Sequence, residues 1–183
     1  ILDKKNIKHF AGDFDYIVVG AGSSGSAIAY RLAQENNMKV LLIEYGGRNR
    51  SIFIDMPAAL SYPMNMKKYN WGYSAEPEPN LYGRSLICPR GKGLGGSSSI
   101  NGMIYVRGHP QDFDNWSTKG ASSWSFADVL PYFKKMECCE SRQSAWRGKN
   151  GPIRIKTAEQ KNVLHKVFSD AAIQCGYSFT EDY

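Results

Sequence analysis

Three glycines near the beginning of the chain have the spacing of a phosphate-binding turn. Gly20, Gly22 and Gly25 form the pattern Gly-x-Gly-x-x-Gly. The first glycine of such a turn permits a tight bend, the second lets a pyrophosphate approach the backbone, and the third lets a helix pack close to a sheet. The helix N-terminus then offers unpaired N–H groups and its positive dipole end to the phosphates. The spacing therefore predicts a nucleotide site, and a purely structural glycine turn is the alternative.

The segments on either side of these glycines predict the elements that would position them. Tyr16–Val19 is a short apolar run that contains β-branched residues, and it predicts a buried strand. Ser26–Ala33 favours a helix that Asn36-Asn37 would end, and Val40–Ile43 predicts a second buried strand. Strand, glycine turn, helix and strand together make one βαβ unit with a parallel sheet.

An acidic residue, Glu44, directly follows the second predicted strand. A carboxylate at this place can accept hydrogen bonds from the ribose of an adenosine, and it would repel a 2′-phosphate. These features alone leave the dinucleotide undecided. An NAD-dependent dehydrogenase that uses only this first motif is therefore one alternative.

A second glycine-dense segment runs from Arg90 to Gly108. It reads Arg-Gly-Lys-Gly-Leu-Gly-Gly-Ser-Ser-Ser-Ile-Asn-Gly-Met-Ile-Tyr-Val-Arg-Gly. This segment, with Asp112–Trp116 after it, resembles the signature of the glucose–methanol–choline (GMC) oxidoreductases, and most of all their choline-dehydrogenase-like branch. The resemblance extends from about Asp13 to Tyr183, and it covers only the N-terminal part of the family's sequence.

The resemblance implies an FAD-binding fold. In the family, a Gly-Ala-Gly-Ser-Ser-Gly turn opens a doubly wound, Rossmann-like α/β domain, and an α+β substrate-binding domain begins further along the chain. We therefore expect the N-terminal portion of the FAD-binding domain over residues 13–110, a connecting helical segment over 111–150 and the start of the substrate-binding domain over 151–183. Some members attach FAD covalently through a histidine just before the Asn of this signature. Ile100 stands at that position, which implies noncovalent FAD.

The two glycine-rich segments provide the candidate cofactor-binding residues. Glycines let the backbone approach a broad, flat flavin ring, and main-chain N–H groups near the ring can stabilise the negative charge that arrives with a hydride. Trp71 is expected either to stack near the adenine or to be an ordinary core tryptophan. The full set of candidates is Gly20, Gly22, Ser23, Ser24, Gly25, Glu44, Tyr45, Trp71, Arg90, Gly93, Gly96, Ser97, Asn101, Gly102, Met103 and Ile104.

The resemblance also implies that the catalytic base lies outside this chain. Members of the family take the alcohol proton with a histidine in the C-terminal part, because hydride leaves readily only from an alkoxide-like carbon. His9, His109 and His165 match none of the family's catalytic positions, so no catalytic residue is predicted here. The implied function is FAD-dependent oxidation of choline or another primary alcohol, with oxygen or another acceptor receiving the electrons. The remaining C-terminal part of the same enzyme would be its structural partner.

Two other functions are compatible with the same motifs. Hydroxynitrile lyases share the family's fold and keep FAD without net redox turnover. A non-catalytic FAD-binding fragment is the second alternative. Whether an alcohol bleaches the flavin in the absence of oxygen distinguishes the redox enzyme from the lyase, and a C-terminal sequence without the histidine would support the non-catalytic fragment.

Composition and charge exclude several further classes of protein. The 183 residues include 23 Lys and Arg against 17 Asp and Glu, a formal charge of +6. The basic residues are scattered and form no nucleic-acid-binding signature, so no nucleic-acid partner is expected. The four cysteines lack a Cys-x-x-Cys spacing, so no metal site is predicted, and the sequence leaves the compartment open with a preference for a reducing, cytoplasmic one. No apolar run approaches the roughly 18 to 20 residues of a membrane span, so we expect a soluble protein.

The second half of the chain predicts conventional elements. Ser125 and Asp128 have capping-box spacing ahead of an apolar-periodic helix. The Gly151-Pro152 turn leads into a predicted strand at Ile153–Ile155. A further helix carries an apolar stripe from Val163 to Cys175, and Gly176 would close it.

Overall fold

A computed structural model of the chain describes residues 12–35, 38–140, 144–159 and 161–180. The chain divides into two compact units, and the boundary falls between Ile104 and Tyr105. The domain limits expected from the family resemblance stay a prediction.

The first unit opens with the predicted βαβ arrangement. Strand β1 is Tyr16–Val19, helix α1 is Ser23–Glu35 and strand β2 is Val40–Ile43. The strands are parallel, with Tyr16 opposite Val40 and Val19 opposite Ile43. Helix α1 begins three residues before the predicted start, directly within the glycine motif. The residues Asn36-Asn37, predicted to end it, lie outside the described residues.

The two strands are less buried than the sequence predicted. Ile17 is 61% exposed and Val19 is 81% exposed. Within the described part of the chain, β1 and β2 pair only with each other. Each strand therefore has one open edge, and much of its apolar side-chain area has no neighbour. The prediction of strands is confirmed, whereas the prediction that they are buried is wrong for the described residues.

The rest of the first unit consists of short elements, one of which lies inside the second glycine segment. Strand β3 pairs antiparallel with β4, and Tyr73 lies opposite Cys88. The helices and strands are α2 (Ile52–Asp55), α3 (Ser61–Asn65), β3 (Tyr73–Ser74) and β4 (Ile87–Cys88), and 3₁₀ turns cover Pro57–Ala59, Pro79–Leu81 and Gly96–Ser99.

The second unit combines helices with a parallel strand pair. Strands β5 and β6 pair with Glu137 opposite Ile153 and Cys139 opposite Ile155, which confirms the predicted strand after the Gly151-Pro152 turn. The elements in chain order are α4 (Pro110–Thr118), α5 (Phe126–Met136), β5 (Glu137–Cys139), β6 (Ile153–Ile155) and α6 (Val163–Gln174).

Two helices of the second unit begin with reciprocal caps. The Ser125 hydroxyl accepts from the Asp128 N–H, and the Asp128 carboxylate accepts from the Ser125 N–H, which confirms the predicted capping box of α5. Helix α4 has the same arrangement with a histidine. The Nδ1 atom of His109 accepts from the Gln111 N–H at 3.2 Å, and Asp112 accepts from the His109 N–H at 3.0 Å. His109 therefore has a structural role that the sequence did not indicate.

A fully buried acidic residue, Glu137, joins several segments of the second unit. Its Oε1 accepts from the Gly148 N–H at 2.7 Å, and its Oε2 lies 2.7 Å from Arg107 Nη2 and 3.4 Å from Arg147 Nη1. Burial alone would raise the pKa of Glu137. The Gly148 N–H and the Arg107 guanidinium outweigh burial and hold the pKa below its ordinary value of 4.5.

This ion pair predicts a specific acid sensitivity. Because the pKa of Glu137 is lower in the folded state, unfolding takes up a proton as the pH falls. The stabilising contribution of Glu137 is complete above pH 4.5, its ordinary pKa. It is lost as the pH falls through the lower pKa that Glu137 has in the folded state. We expect Glu137→Gln to lower the free energy of unfolding at neutral pH by about 3 kcal/mol. The free energy of unfolding of this variant should also vary less than that of the parent between about pH 3 and pH 5.

Unfolding of the intact protein across a pH series measures this effect. The matched control is Glu76→Gln, because Glu76 is an exposed carboxylate in the first unit. The control should keep the acid sensitivity of the parent protein. An identical pH dependence in Glu137→Gln and the parent would contradict the prediction.

No helix within residues 12–35, 38–140, 144–159 and 161–180 has both the length and the apolar character needed to cross a membrane. The 13-residue helix α1 is the longest in that part of the chain. The same residues contain no cluster of three or more His, Cys, Asp or Glu side chains that could hold a metal ion.

Candidate cofactor-binding site

The first glycine motif forms the tight turn between β1 and α1. Gly20 has a φ of 95°, and its N–H donates to the Ile43 carbonyl at 2.7 Å. A Cβ on Gly25 would lie 1.9 Å from the Gly20 carbonyl oxygen and 3.3 Å from Val18 Cγ1. The first turn of α1 thus lies directly against the strand end. This close approach requires glycine at position 25.

The second glycine segment packs directly against the first. The Gly95 N–H donates to the Ala21 carbonyl at 2.8 Å. A Cβ on Gly96 would lie 2.8 Å from Gly22 Cα, so the two backbones approach each other without side chains between them. The two motifs are about 70 residues apart in sequence, yet they form one continuous glycine-lined surface.

Glu44 connects both motifs through its carboxylate. Its Oε2 accepts from the Ala21 N–H at 2.8 Å, and its Oε1 accepts from the N–H groups of Gly46 at 2.9 Å and Gly93 at 3.0 Å. An ionised carboxylate has about four acceptor positions. One position, on Oε2, is therefore left for a ligand hydroxyl. The sequence predicted the ribose acceptor but not this connecting role.

A wide cleft of about 1450 Å³ opens beside this surface. That volume exceeds the roughly 300 to 1,000 Å³ of a drug-sized ligand site and suits an extended dinucleotide. Most of the candidate residues line it, namely Gly20, Gly22, Ser23, Ser24, Gly25, Glu44, Tyr45, Trp71, Arg90, Gly96 and Ser97.

The cleft also contains residues that the sequence did not single out. Arg48 lines it together with Arg90, and Glu44 is the only acidic residue among the lining groups in the described part of the chain. The cleft thus has two arginines and a helix N-terminus among its lining groups, which suits a pyrophosphate. Arg48 lies four residues after Glu44. This closeness to the predicted ribose acceptor is the feature of the sequence that could have indicated Arg48 as a cleft residue.

Aromatic rings form one side of the cleft. The Trp71 ring lies 5.0 Å from the Tyr45 ring and 6.3 Å from the Tyr73 ring, and it is nearly parallel to Tyr73 at 7°. The Nζ atom of Lys92 lies 5.5 Å from the Trp71 ring centre. Trp71 is 42% exposed, so it is not a core tryptophan. We call Tyr45, Trp71 and Tyr73 the aromatic wall.

Some of the candidate residues do not line this cleft. Gly93 is not among the lining residues; its N–H donates to Glu44, and a Cβ on Gly46 would lie 2.5 Å from Gly93 Cα. The segment from Asn101 to Ile104 is exposed, and Met103 has a φ of 58°. The Asn101 side chain accepts from the Met103 N–H at 2.9 Å and so shapes the turn. Contact between Asn101, Gly102, Met103 or Ile104 and a flavin stays a prediction.

The parallel βαβ unit, the glycine turn, the carboxylate after β2 and the wide basic cleft define a dinucleotide-binding domain. The GMC oxidoreductase family model matches residues 14–183. The chain therefore belongs to the GMC oxidoreductase family, and the predicted α/β fold is confirmed.

Individual relatives agree with this assignment. The chain is 54% identical over 169 residues to an oxygen-dependent choline dehydrogenase of Brucella melitensis, covering 92% of this chain and 31% of that protein. The crystal structure of pyridoxine 4-oxidase from Mesorbium loti matches with a TM-score of 0.86 and 33% identity, over 92% of this chain and 33% of the other. An FAD-dependent oxidoreductase from Chaetomium thermophilum matches with a TM-score of 0.83 and 28% identity, over 93% and 31%. The chain thus spans about a third of the length of these relatives.

Proposed function

We propose that the protein carrying this chain oxidises an alcohol, with FAD as the hydride acceptor. FAD is the cofactor, as the sequence predicted, because the chain belongs to the GMC family and has the fold of FAD-dependent oxidoreductases. The observation that carries the proposal is the joining of the two glycine motifs by Glu44 into one cleft of dinucleotide size. When bound, FAD supplies a flavin that accepts two electrons and a proton as hydride.

The residues of this chain have binding and orienting roles in the proposed reaction. The N-terminus of α1 and the side chains of Arg48 and Arg90 hold the pyrophosphate. The free acceptor position of Glu44 takes a ribose hydroxyl. The aromatic wall begins at Tyr45, directly after Glu44, so it faces the adenine end of the cofactor.

The proposed substrate is a primary alcohol, and choline is the first to test. The identity of 54% to an oxygen-dependent choline dehydrogenase supports this choice. Bound FAD would accept a hydride from the alcohol carbon while the hydroxyl lost its proton to a base, and the product would be an aldehyde. The electrons then pass to oxygen or another acceptor. We place that base outside this chain, in agreement with the absence of a matching histidine in the sequence.

The proposed partner of both units is the remaining part of the same enzyme. In the first unit the apolar side chains of Ile17 and Val19 are more than half exposed. In the second unit helix α6 exposes Val163 at 72% and Phe168 at 79%. Parallel strands and amphipathic helices are ordinarily covered on such faces. The chain spans only 31% of the length of its relative from Brucella, which supports the same protein as the source of the cover.

The visible spectrum of the natively purified, intact protein tests the proposal. We expect a flavin absorption band that bleaches when choline is added without oxygen and returns when oxygen or an artificial acceptor is admitted. A simple aromatic alcohol serves as the comparison substrate. Release of the flavin on mild denaturation would support the predicted noncovalent attachment.

The other outcomes separate the competing functions. A flavin band that no alcohol bleaches would contradict alcohol oxidation and favour a lyase or a non-catalytic flavoprotein. A protein that shows no flavin band and does not bind added FAD would overturn the proposal as a whole.

A further inference from the structure

A buried amide, Asn70, lies behind the aromatic wall. Asn70 is only 6% exposed, and both the oxygen and the nitrogen of its side-chain amide have hydrogen-bond partners. Its Oδ1 accepts from the Arg90 N–H at 2.9 Å and from the Gly72 N–H at 3.1 Å. Its Nδ2 donates to the Met64 carbonyl at 2.6 Å. A buried amide with these contacts fixes the backbone around it, because leaving any partner unsatisfied is costly.

The three contacts of Asn70 join separate stretches of the first unit. Met64 belongs to helix α3, Gly72 lies in the turn before β3, and Arg90 begins the second glycine segment. Gly72 has a φ of 75°, so the chain turns sharply just after Trp71. The Trp71 N–H also donates to the Arg90 carbonyl at 2.9 Å. The backbone of Trp71 is thus held on both sides by groups that Asn70 organises.

We infer that Asn70 is a positioning residue for the cofactor, which acts by holding Trp71 in the aromatic wall. The inference rests on the proposed placement of the adenine against that wall. Asn70 does not line the cleft, whereas Trp71 and Arg90 do. Its effect on the cofactor must therefore pass through these neighbours, and Trp71 presents the large ring that an adenine can stack on.

A double-mutant cycle on the intact apoprotein tests the inference. The dissociation constant of FAD is measured for the parent, Asn70→Ala, Trp71→Ala and the double variant, by quenching of tryptophan fluorescence or by calorimetry. Stacking of a base on an aromatic ring is worth enough that Trp71→Ala should weaken FAD binding about tenfold. Asn70→Ala should weaken it by a similar factor. In the double variant, Asn70→Ala should add little to the loss of FAD affinity that Trp71→Ala causes by itself.

Two further variants keep the result interpretable. Asn65→Ala is the matched control, because the Asn65 amide also donates to a backbone carbonyl, that of Ser61 at 2.8 Å, but is exposed and does not line the cleft. It should leave FAD affinity unchanged. Asn70→Asp keeps the acceptor for both N–H groups but replaces the donor with a carboxylate oxygen that faces the Met64 carbonyl, so it should also weaken FAD binding. If Asn70→Ala does not fold, Asn70→Asp replaces it in the cycle.

The outcomes separate this inference from the proposed function. If Asn70→Ala lowered FAD affinity by the same factor in the parent and in Trp71→Ala, Asn70 would have a general structural role. That result would overturn the inference. Unchanged FAD affinity in Trp71→Ala would also overturn it, while the proposal of an FAD-dependent oxidoreductase would stand. A parent protein that does not bind FAD would instead contradict the proposed function itself.

Discussion

Replacing Gly25 with alanine is expected to reduce FAD affinity about 100-fold, equivalent to ~2.7 kcal/mol. The new Cβ would lie 1.9 Å from the Gly20 carbonyl oxygen, which belongs to the backbone and cannot rotate away. Helix α1 would have to move away from the turn. Its N-terminal N–H groups would then no longer converge with the glycine turn on a phosphate. Overpacking of this kind also costs about 1 to 3 kcal/mol of stability.

Titration of the intact apoprotein with FAD, together with its melting temperature, measures both effects. Gly12→Ala is the matched control, because the nearest atom to a Cβ there is Phe14 Cε2 at 4.0 Å. This control makes the same chemical change in the same unit without a clash. Parent-like FAD affinity in Gly25→Ala would show that the turn and the helix can separate without loss of the site.

Replacing Glu44 with glutamine is expected to weaken both the apoprotein and its binding of FAD. The carboxylate accepts three backbone N–H groups, from Ala21, Gly46 and Gly93. A glutamine keeps one oxygen, but its NH₂ group would face an N–H donor in place of the other. Hydrogen bonds to charged groups contribute about 1.5 to 3 kcal/mol each. We therefore expect a loss of about 2 kcal/mol in stability and at least about tenfold in FAD affinity.

Stability of the apoprotein is the decisive measurement for Glu44. A residue that only accepted a ribose hydroxyl would lower FAD affinity and leave the apoprotein unchanged. Glu78→Gln is the control, since the exposed Glu78 carboxylate accepts one backbone N–H, from Asn80 at 3.1 Å. It should change stability by less than about 1 kcal/mol and leave FAD affinity as it is. An apoprotein of Glu44→Gln as stable as the parent would contradict the connecting role.

Local features of the fold were predictable because short-range physics determines them. Apolar runs at Tyr16–Val19 and Val40–Ile43 became the parallel pair β1 and β2, and the glycine pattern became the turn between β1 and α1. The capping residues around Ser125 formed the expected reciprocal bonds. The strand segments, the turn and the cap each depend on residues that are close in sequence, so periodicity and side-chain chemistry suffice to predict them, and the βαβ order then predicts the parallel pairing.

The exposure of the strands was not predictable in the same way. An apolar run indicates that a strand will be covered, but it does not indicate which part of the protein provides the cover. Ile17 and Val19 remain largely exposed, and in the described residues β1 pairs with β2 alone. Burial is a property of the complete set of neighbours.

By itself, the sequence determined the family, the cofactor and most of the cleft-lining residues, because the glycine spacings and the segment from Arg90 to Gly108 are specific signals. Only the tertiary structure decided how those signals combine. It placed Gly96 against Gly22, gave Glu44 three backbone partners and brought Asn70 behind Trp71. The physical reason is that the contacts of Gly96 with Gly22, of Glu44 with Ala21 and Gly93, and of Asn70 with Arg90 join residues 20 to 74 positions apart, and their geometry depends on how the whole unit packs.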